Sequence, residues 1–398
     1  MACSLNDLRG WWASRQGLAP GSRPRSAEAC IQKTGSLTSS GAPTAYLSIR
    51  ARVAGVSRAE IDRIAMDGAH MIEVPGLPGR PHVLAPPADV PLLLRLNAMG
   101  FHKHVAAGLM KDGISESAMK SVSAEIIAAL HECPLSTSGL REAVSHRDAG
   151  ILIQIALSDL LLRGVVRRFP SDGRLDSTKY QFELRHADDR PNLDREGSSD
   201  HVVDKAVGYF LRHHGPATID EIVAWSDLTK GAVRQALAKS RAETVDVTGW
   251  AAETWLLPQD AAAFRQFKPK IDDRVALLPY RDPFVHIRRT PAVLTSAAKV
   301  RVLDSVYGRM KPASIEKVDG LNHHTIFCGN ELIGIWEFDP NSKAVVTKVW
   351  LRNAHLKRRV AIAAEETTVF IREQLGDAKL SAVDPPARRA ARLDFLRA

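Results

Sequence analysis

AGILIQIALSDLLLR (149–163), VVRRFP (165–170), SDGRLDST (171–178) and KYQFELR (179–185) form the stretch on which the reading of the fold turns. The first segment is apolar at helical spacing, and Asp148 stands before it as a capping residue. VVRRFP and KYQFELR read as strands, and the polar, Gly-containing segment between them closes a hairpin. Helices are predicted immediately upstream at 117–132 and 136–145. Three helices followed by a hairpin with a basic tip is the layout of a winged helix-turn-helix.

The same order recurs downstream of the polar linker at 186–200. A helix at 200–214 leads into GPATIDEIVAW (215–225) and TKGAVRQALAK (229–239), then strands TVDV (244–247) and TWLL (254–257). Upstream, amphipathic helices are predicted at 5–16, 25–34 and 44–53. Ser57 with Glu60 forms a capping box for a further helix, strands follow at 70–74 and 81–85, and a long helical run ends at Gly113. After Pro269 the pattern changes to strands, first VALLPY (275–280) and then apolar stretches between 313 and 350. A helix at 354–375 and a basic tail close the chain. The fold class predicted is α+β: tandem winged helix-turn-helix units around a concave channel, with a C-terminal β-rich portion. The units expected are 1–113 (helical, winged-helix-like), 114–186, 200–265 and 270–398.

The 398 residues are too many for one core and too apolar, at 45%, for a disordered chain. Lys and Arg number 54 against 45 Asp and Glu, so the formal charge is +9, a balance that favours polyanionic partners. No apolar run approaches the ~18–20 residues that span a bilayer, and the N-terminus lacks a secretory pattern. The four cysteines are scattered without ligand spacing. Together these predict a cytoplasmic chain with reduced thiols, neither metal nor cofactor, and no membrane partner. A monomer is expected, and no coiled-coil heptad appears that would support a dimeric regulator. Walker, GxGxxG, GxSxG and HExxH motifs are absent from the sequence.

The expected partner is double-stranded DNA. On the first of the two hairpins read from sequence, Arg163, Arg167, Arg168, Arg174 and Lys179 can lie along a phosphate backbone and release counterions. Gln154 and Ser158 share a narrow polar stripe on the preceding helix, where Gln can read an adenine edge. Lys230 and Arg234 give the later unit a basic edge. Each of these sets also suits an ordinary solvated surface.

An ordered series of segments carries a resemblance. It comprises WWASRQGL (11–18), TGSLTSSGAPTAYLSIRARV (34–53), SRAEID (57–62) and PGRPHVLAPPAD (78–89). It continues with GRLDSTKYQF (173–182), HHGPATIDEIVAWSDL (213–228), LLPYRDPF (277–284) and ELIGIWEF (331–338). The chain resembles the winged-helix family that contains the AlkZ and YcaQ interstrand-crosslink DNA glycosylases. The resemblance implies tandem winged helices around a DNA-facing channel and a role in recognising or repairing damaged DNA. Family glycosylases carry Gln-x-Gln or Gln-x-Asp after Gly-x-Leu, to position the water that displaces an alkylated base. Here Gly35-Ser36-Leu37 is followed by Thr38-Ser39-Ser40, so Thr38 and Ser40 stand where the catalytic pair is expected. Hydroxyls can hold a water but do not usefully take its proton near neutral pH. Asp282, beside Arg281, is a candidate for the channel, with a structural salt bridge as the alternative. Arg80 and His82 resemble an arginine and a histidine of the family pattern. Two other readings of the chain stay open: an active monofunctional glycosylase, and a winged-helix transcriptional regulator.

Overall fold

The computed structural model describes residues 2–39, 41–76, 80–112, 115–145, 150–270, 272–297, 299–304, 310–350 and 353–398. A short strand, β1 (Ala2–Ser4), and helix α1 (Leu5–Arg15) open the chain, joined by a capping box between Ser4 and Asp7.

Three successive copies of one topology follow. In the first, α2 (Ala27–Thr34), β2 (Leu37–Ser39), α3 (Thr44–Arg50) and α4 (Arg58–Asp67) lead into a hairpin of β3 (Ile72–Val74) and β4 (His82–Ala85). The second strand of the hairpin, β4, also pairs with β2 and so lies in the middle, giving the order β2-β4-β3. Helix α5 (Val90–Asp112) leads to the second copy. There α6 (Glu116–Glu132), β5 (Leu135–Ser136), α7 (Thr137–Ala143), α8 (Gly150–Leu162), β6 (Val166–Pro170) and β7 (Tyr180–Leu184) give the order β5-β7-β6. The third copy has α9 (Ser199–His214), α10 (Ile219–Ser226), α11 (Lys230–Lys239), β8 (Glu243–Thr248) and β9 (Trp250–Leu256). Its first strand is reduced to one bridge between Ala217 and Trp255, and β1 pairs in parallel with β8. Helix–strand–helix–helix–hairpin is the winged-helix order in each case. Strand β2 is not anticipated from sequence, because three residues are too short to display an alternation.

Serine or threonine sets most helix starts in these units. Ser26, Ser57, Ser115, Ser136, Ser198, Thr218 and Thr229 each accept a backbone N–H three residues on. Such a cap is worth about 1 kcal/mol. The cap predicted at Asp148 lies outside the described residues.

Beyond α12 (Pro258–Gln266) the chain builds an antiparallel sheet in the order β10-β13-β14-β15 from Val275–Leu278, His324–Cys328, Glu331–Asp339 and Ala344–Val349. The short helix α13 (Pro283–His286) and a hairpin of β11 (Arg301–Asp304) and β12 (Lys311–Ser314) lie between β10 and β13. Helix α14 (Ala354–Phe370) widens into a π turn at Ile371–Leu375, and α15 (Pro386–Arg397) follows. The basic tail read from sequence is therefore a packed helix. Arg389 and Arg392 on α15 are buried and ion-paired with Glu337, Asp377 and Asp384.

Apolar burial ties the parts together. Leu37, Tyr46, Ile49 and Ile61 of the first unit share a core with Ile326, Trp336 and Phe338 of the C-terminal sheet. Trp11 and Trp12 of α1 pack with Val245 and Leu256 of the third unit's hairpin and Leu278 of β10. The second unit has a core of its own built on α6 and α8.

Four histidines, His213, His214, His323 and His324, are buried among these elements. Burial pushes His213 and His323 down to about 4 and holds His214 and His324 well below the ordinary imidazole range. A group neutral when folded and protonated when unfolded loses stability as pH falls from the unfolded pKa, ~6.5, toward the folded one. Each contributes up to about 1.4 kcal/mol per pH unit. The thermal midpoint is therefore expected to drop steeply between pH 6.5 and 5; a flat midpoint in differential scanning calorimetry would contradict this.

Candidate functional site

A cavity of about 280 Å³ lies among β2 and β4 of the first unit, α5, α10 of the third unit and the 281–289 segment. Gly35 sets the approach of β2. It ends α2 with φ +81°, and a Cβ there would stand 2.8 Å from both the Tyr209 hydroxyl and the His213 ring of α9. Only glycine combines that backbone with that proximity. Along β2, Leu37 enters the core, Thr38 lines the cavity, and Ser39 turns the other way to donate to Glu73 at 2.7 Å. The Thr38 hydroxyl donates to the Arg281 carbonyl at 3.3 Å.

The 281–289 segment is anchored from below. Asp282 is fully buried, and its two carboxylate oxygens accept from Arg52 at 2.7 and 2.8 Å. It also caps α13 by accepting from the Phe284 amide. This anchorage holds Arg281 at φ +64°, a left-handed conformation unusual for a residue with a side chain. Glu221 of α10 is likewise committed, to the buried Arg288 at 3.2 Å, and Arg288 also donates to the His214 carbonyl.

Leu93, Leu96, Val83, Ile287 and Trp225 give the cavity an apolar, aromatic wall, with Trp225 stacked on Tyr209. Arg80, Arg281 and Arg289 bring positive charge to it. Arg289 pairs with Asp319. Arg80 donates to the Trp225 carbonyl at 2.8 Å, and Arg281 packs over Tyr280; among the described residues neither has a carboxylate partner. His286 also lines the cavity. It is exposed to solvent, and its ring meets Tyr280 edge-on without a hydrogen bond to any described residue. The surrounding protein, and then Arg281, Arg289 and Arg80, push its pKa down from the ordinary imidazole value.

The residues expected from sequence divide sharply. Thr38 opens into the cavity; Ser40 lies outside the described residues. Asp282 is a structural ion pair rather than a channel residue, because both of its oxygens are spent on Arg52. The second unit's hairpin does not project freely. Arg168 is held by Glu73 of the first unit at 2.6 and 2.9 Å, largely buried, and is not available to a phosphate. Arg174 forks onto Asp176 and reaches the Leu375 carbonyl, while the Leu175 amide donates to the Tyr46 hydroxyl, so the hairpin tip docks on the first unit. Arg167 pairs with Glu183 across the hairpin, and Arg163 lies 3.6 Å from Asp159. Lys179 is exposed. Gln154 is exposed, and its carbonyl accepts from the Ser158 hydroxyl at 2.7 Å. Lys230 pairs with Asp220 at 2.6 Å, whereas Arg234 is exposed with no ion partner among the described residues. None of these basic residues lines the cavity with Thr38. His286, Trp225 and Asn97 are cavity residues that sequence reasoning missed; the only signal was the density of Arg281, His286, Arg288 and Arg289 in one short segment.

The fold and cavity define a tandem winged-helix protein with a cationic, aromatic-walled pocket between its first and third units. The chain belongs to the AlkZ-like DNA glycosylase family: the family model described as DNA glycosylase AlkZ-like matches residues 30–372. Among solved structures, it is similar to the Streptomyces sahachiroi DNA glycosylase AlkZ with a TM-score of 0.70. That match covers 96% of this chain and 99% of the other at 18% identity, a likeness of fold. No curated protein matches the chain. Among the described residues no helix is long and apolar enough to cross a membrane.

Proposed function

We propose that the chain binds double-stranded DNA carrying an alkylated or crosslinked base, receives that base in the cavity, and hydrolyses its N-glycosidic bond. The observation that carries this reading is the place of Thr38. By its resemblance to the family Thr38 stands where the first catalytic residue is expected, and it lines a cavity with an aromatic wall and two arginines that form no ion pair with a carboxylate among the described residues. A base inside a duplex is out of reach of an enzyme's reacting groups, so it must be turned out and stacked against aromatic or apolar side chains. The cavity is at the low end of ligand-site volumes, ~300–1,000 Å³, which suits a single base. Arg80 and Arg281 can take the flanking phosphates.

An N7-alkylpurine is cationic, and its bond to the sugar is already weakened. What remains is to hold a water at the sugar's C1′ and stabilise developing oxocarbenium charge. Thr38 supplies a hydrogen bond for that water. Incubation with duplexes bearing N7-alkylguanine or a nitrogen-mustard crosslink should produce abasic sites. A Thr38→Ala/Ser40→Ala double variant should produce them at least tenfold more slowly. Absence of product from every such duplex would overturn the reading.

A further inference from the structure

We propose that His286 is the proton acceptor for the attacking water, a base that the Thr38 hydroxyl beside it in the cavity lining cannot supply. This rests on the reading above. The other polar groups lining the cavity are unsuited or already committed. Glu221 pairs with Arg288, the buried His214 ring meets the Gln16 amide at 3.3 Å, and Asn97 donates to the Pro75 carbonyl at 2.6 Å. Thr38 and Ser36 carry hydroxyls, which do not accept a proton usefully at neutral pH. Asp282, next in the chain to Arg281, is spent on Arg52. His286 alone among the described lining residues offers a neutral, solvent-open nitrogen with no hydrogen bond of its own.

The charged and titratable groups facing it are Arg281 and Arg289 from its own segment, Arg80 from the chain entering β4, and the Tyr280 ring. The surrounding protein first, and the guanidinium groups after it, disfavour the protonated imidazole. When DNA phosphates occupy Arg80 and Arg281, part of that repulsion is lifted and the ring becomes a better base. The step balances as follows. The water oxygen bonds to C1′, and the C1′–N9 bond breaks with its electron pair passing to the alkylpurine, which leaves neutral. The water's proton goes to His286, which carries the single positive charge until bulk water removes it.

The test is single-turnover base release by the full chain on an N7-alkylguanine duplex. A positioned general base contributes on the order of 10²–10⁴-fold. His286→Ala and His286→Gln should therefore each lose about a hundredfold or more, with DNA affinity and thermal midpoint unchanged. Added imidazole should restore part of the rate to His286→Ala and none to Thr38→Ala. A wild-type rate in His286→Ala would overturn the proposal. So would a wild-type rate in His286→Gln, because glutamine holds a water but takes no proton at neutral pH. Failure of the wild-type chain to release any base is a separate result, which overturns the glycosylase reading itself.

Discussion

Replacing Asp282 with alanine is expected to destabilise the folded chain by about 3–5 kcal/mol, the usual cost of removing one partner from a buried ion pair. Both side chains are wholly shielded from water. Without Asp282, the Arg52 guanidinium keeps hydrogen bonds to the Gln16 and Ser48 carbonyls but loses the charge that compensates it. The carboxylate also caps α13, so its loss removes a further start signal from the segment that carries Arg281 and His286. Urea denaturation of Asp282→Ala and Arg52→Ala checks the claim. Each single variant should lose several kcal/mol, and the double variant should lose clearly less than their sum, because the two changes remove one shared interaction. A loss below about 1 kcal/mol in Asp282→Ala would mean the pair is not the anchor described. The variant also separates structure from chemistry: the damage should appear first in the unfolding curve.

The second large effect concerns DNA. The Arg80→Ala/Arg281→Ala double variant is expected to weaken duplex binding on the order of a hundredfold at low salt, since a hydrogen bond to a charged group contributes ~1.5–3 kcal/mol. It should also reduce the slope of log K against log salt by about 2, at ~0.9 per phosphate neutralised. These two arginines are chosen because neither is tied to a carboxylate among the described residues, so each keeps its charge for a partner. Arg168→Ala is the contrast. Its guanidinium is held by Glu73, so the salt slope should not move. Fluorescence anisotropy across a salt series distinguishes them; an unchanged slope in the double variant would remove the cavity rim from the DNA contact.

Much of the fold was legible because its signals are local. Serine and threonine caps, the apolar periods of α6, α8 and α9, and the polar turn of SDGRLDST need only near neighbours to be read. The Gly-x-Leu segment was legible as a distinct motif, and Gly35 needs both a positive φ and the closeness of Tyr209 and His213. Charge was the misleading signal. Arginines 167, 168 and 174 read as a cationic hairpin, yet Arg168 answers a glutamate 95 residues earlier and Arg174 sits against a carbonyl 201 residues later. The basic tail failed in the same way, since Arg389 and Arg392 meet Glu337, Asp377 and Asp384 only once α15 has packed.

The amino-acid order alone determined the winged-helix repeats, the change to strands after Pro269, and the departure of Thr38 and Ser40 from the family's catalytic pair. Those properties depend on spacing and residue type, which a linear chain displays in full. Only the tertiary structure decided which cations remain free and which are neutralised, that Asp282 serves the scaffold, and that His286 shares a cavity with Thr38. Ion pairing and burial are set by contacts across hundreds of residues, and a side chain's charge becomes a function only after its neighbours have been chosen.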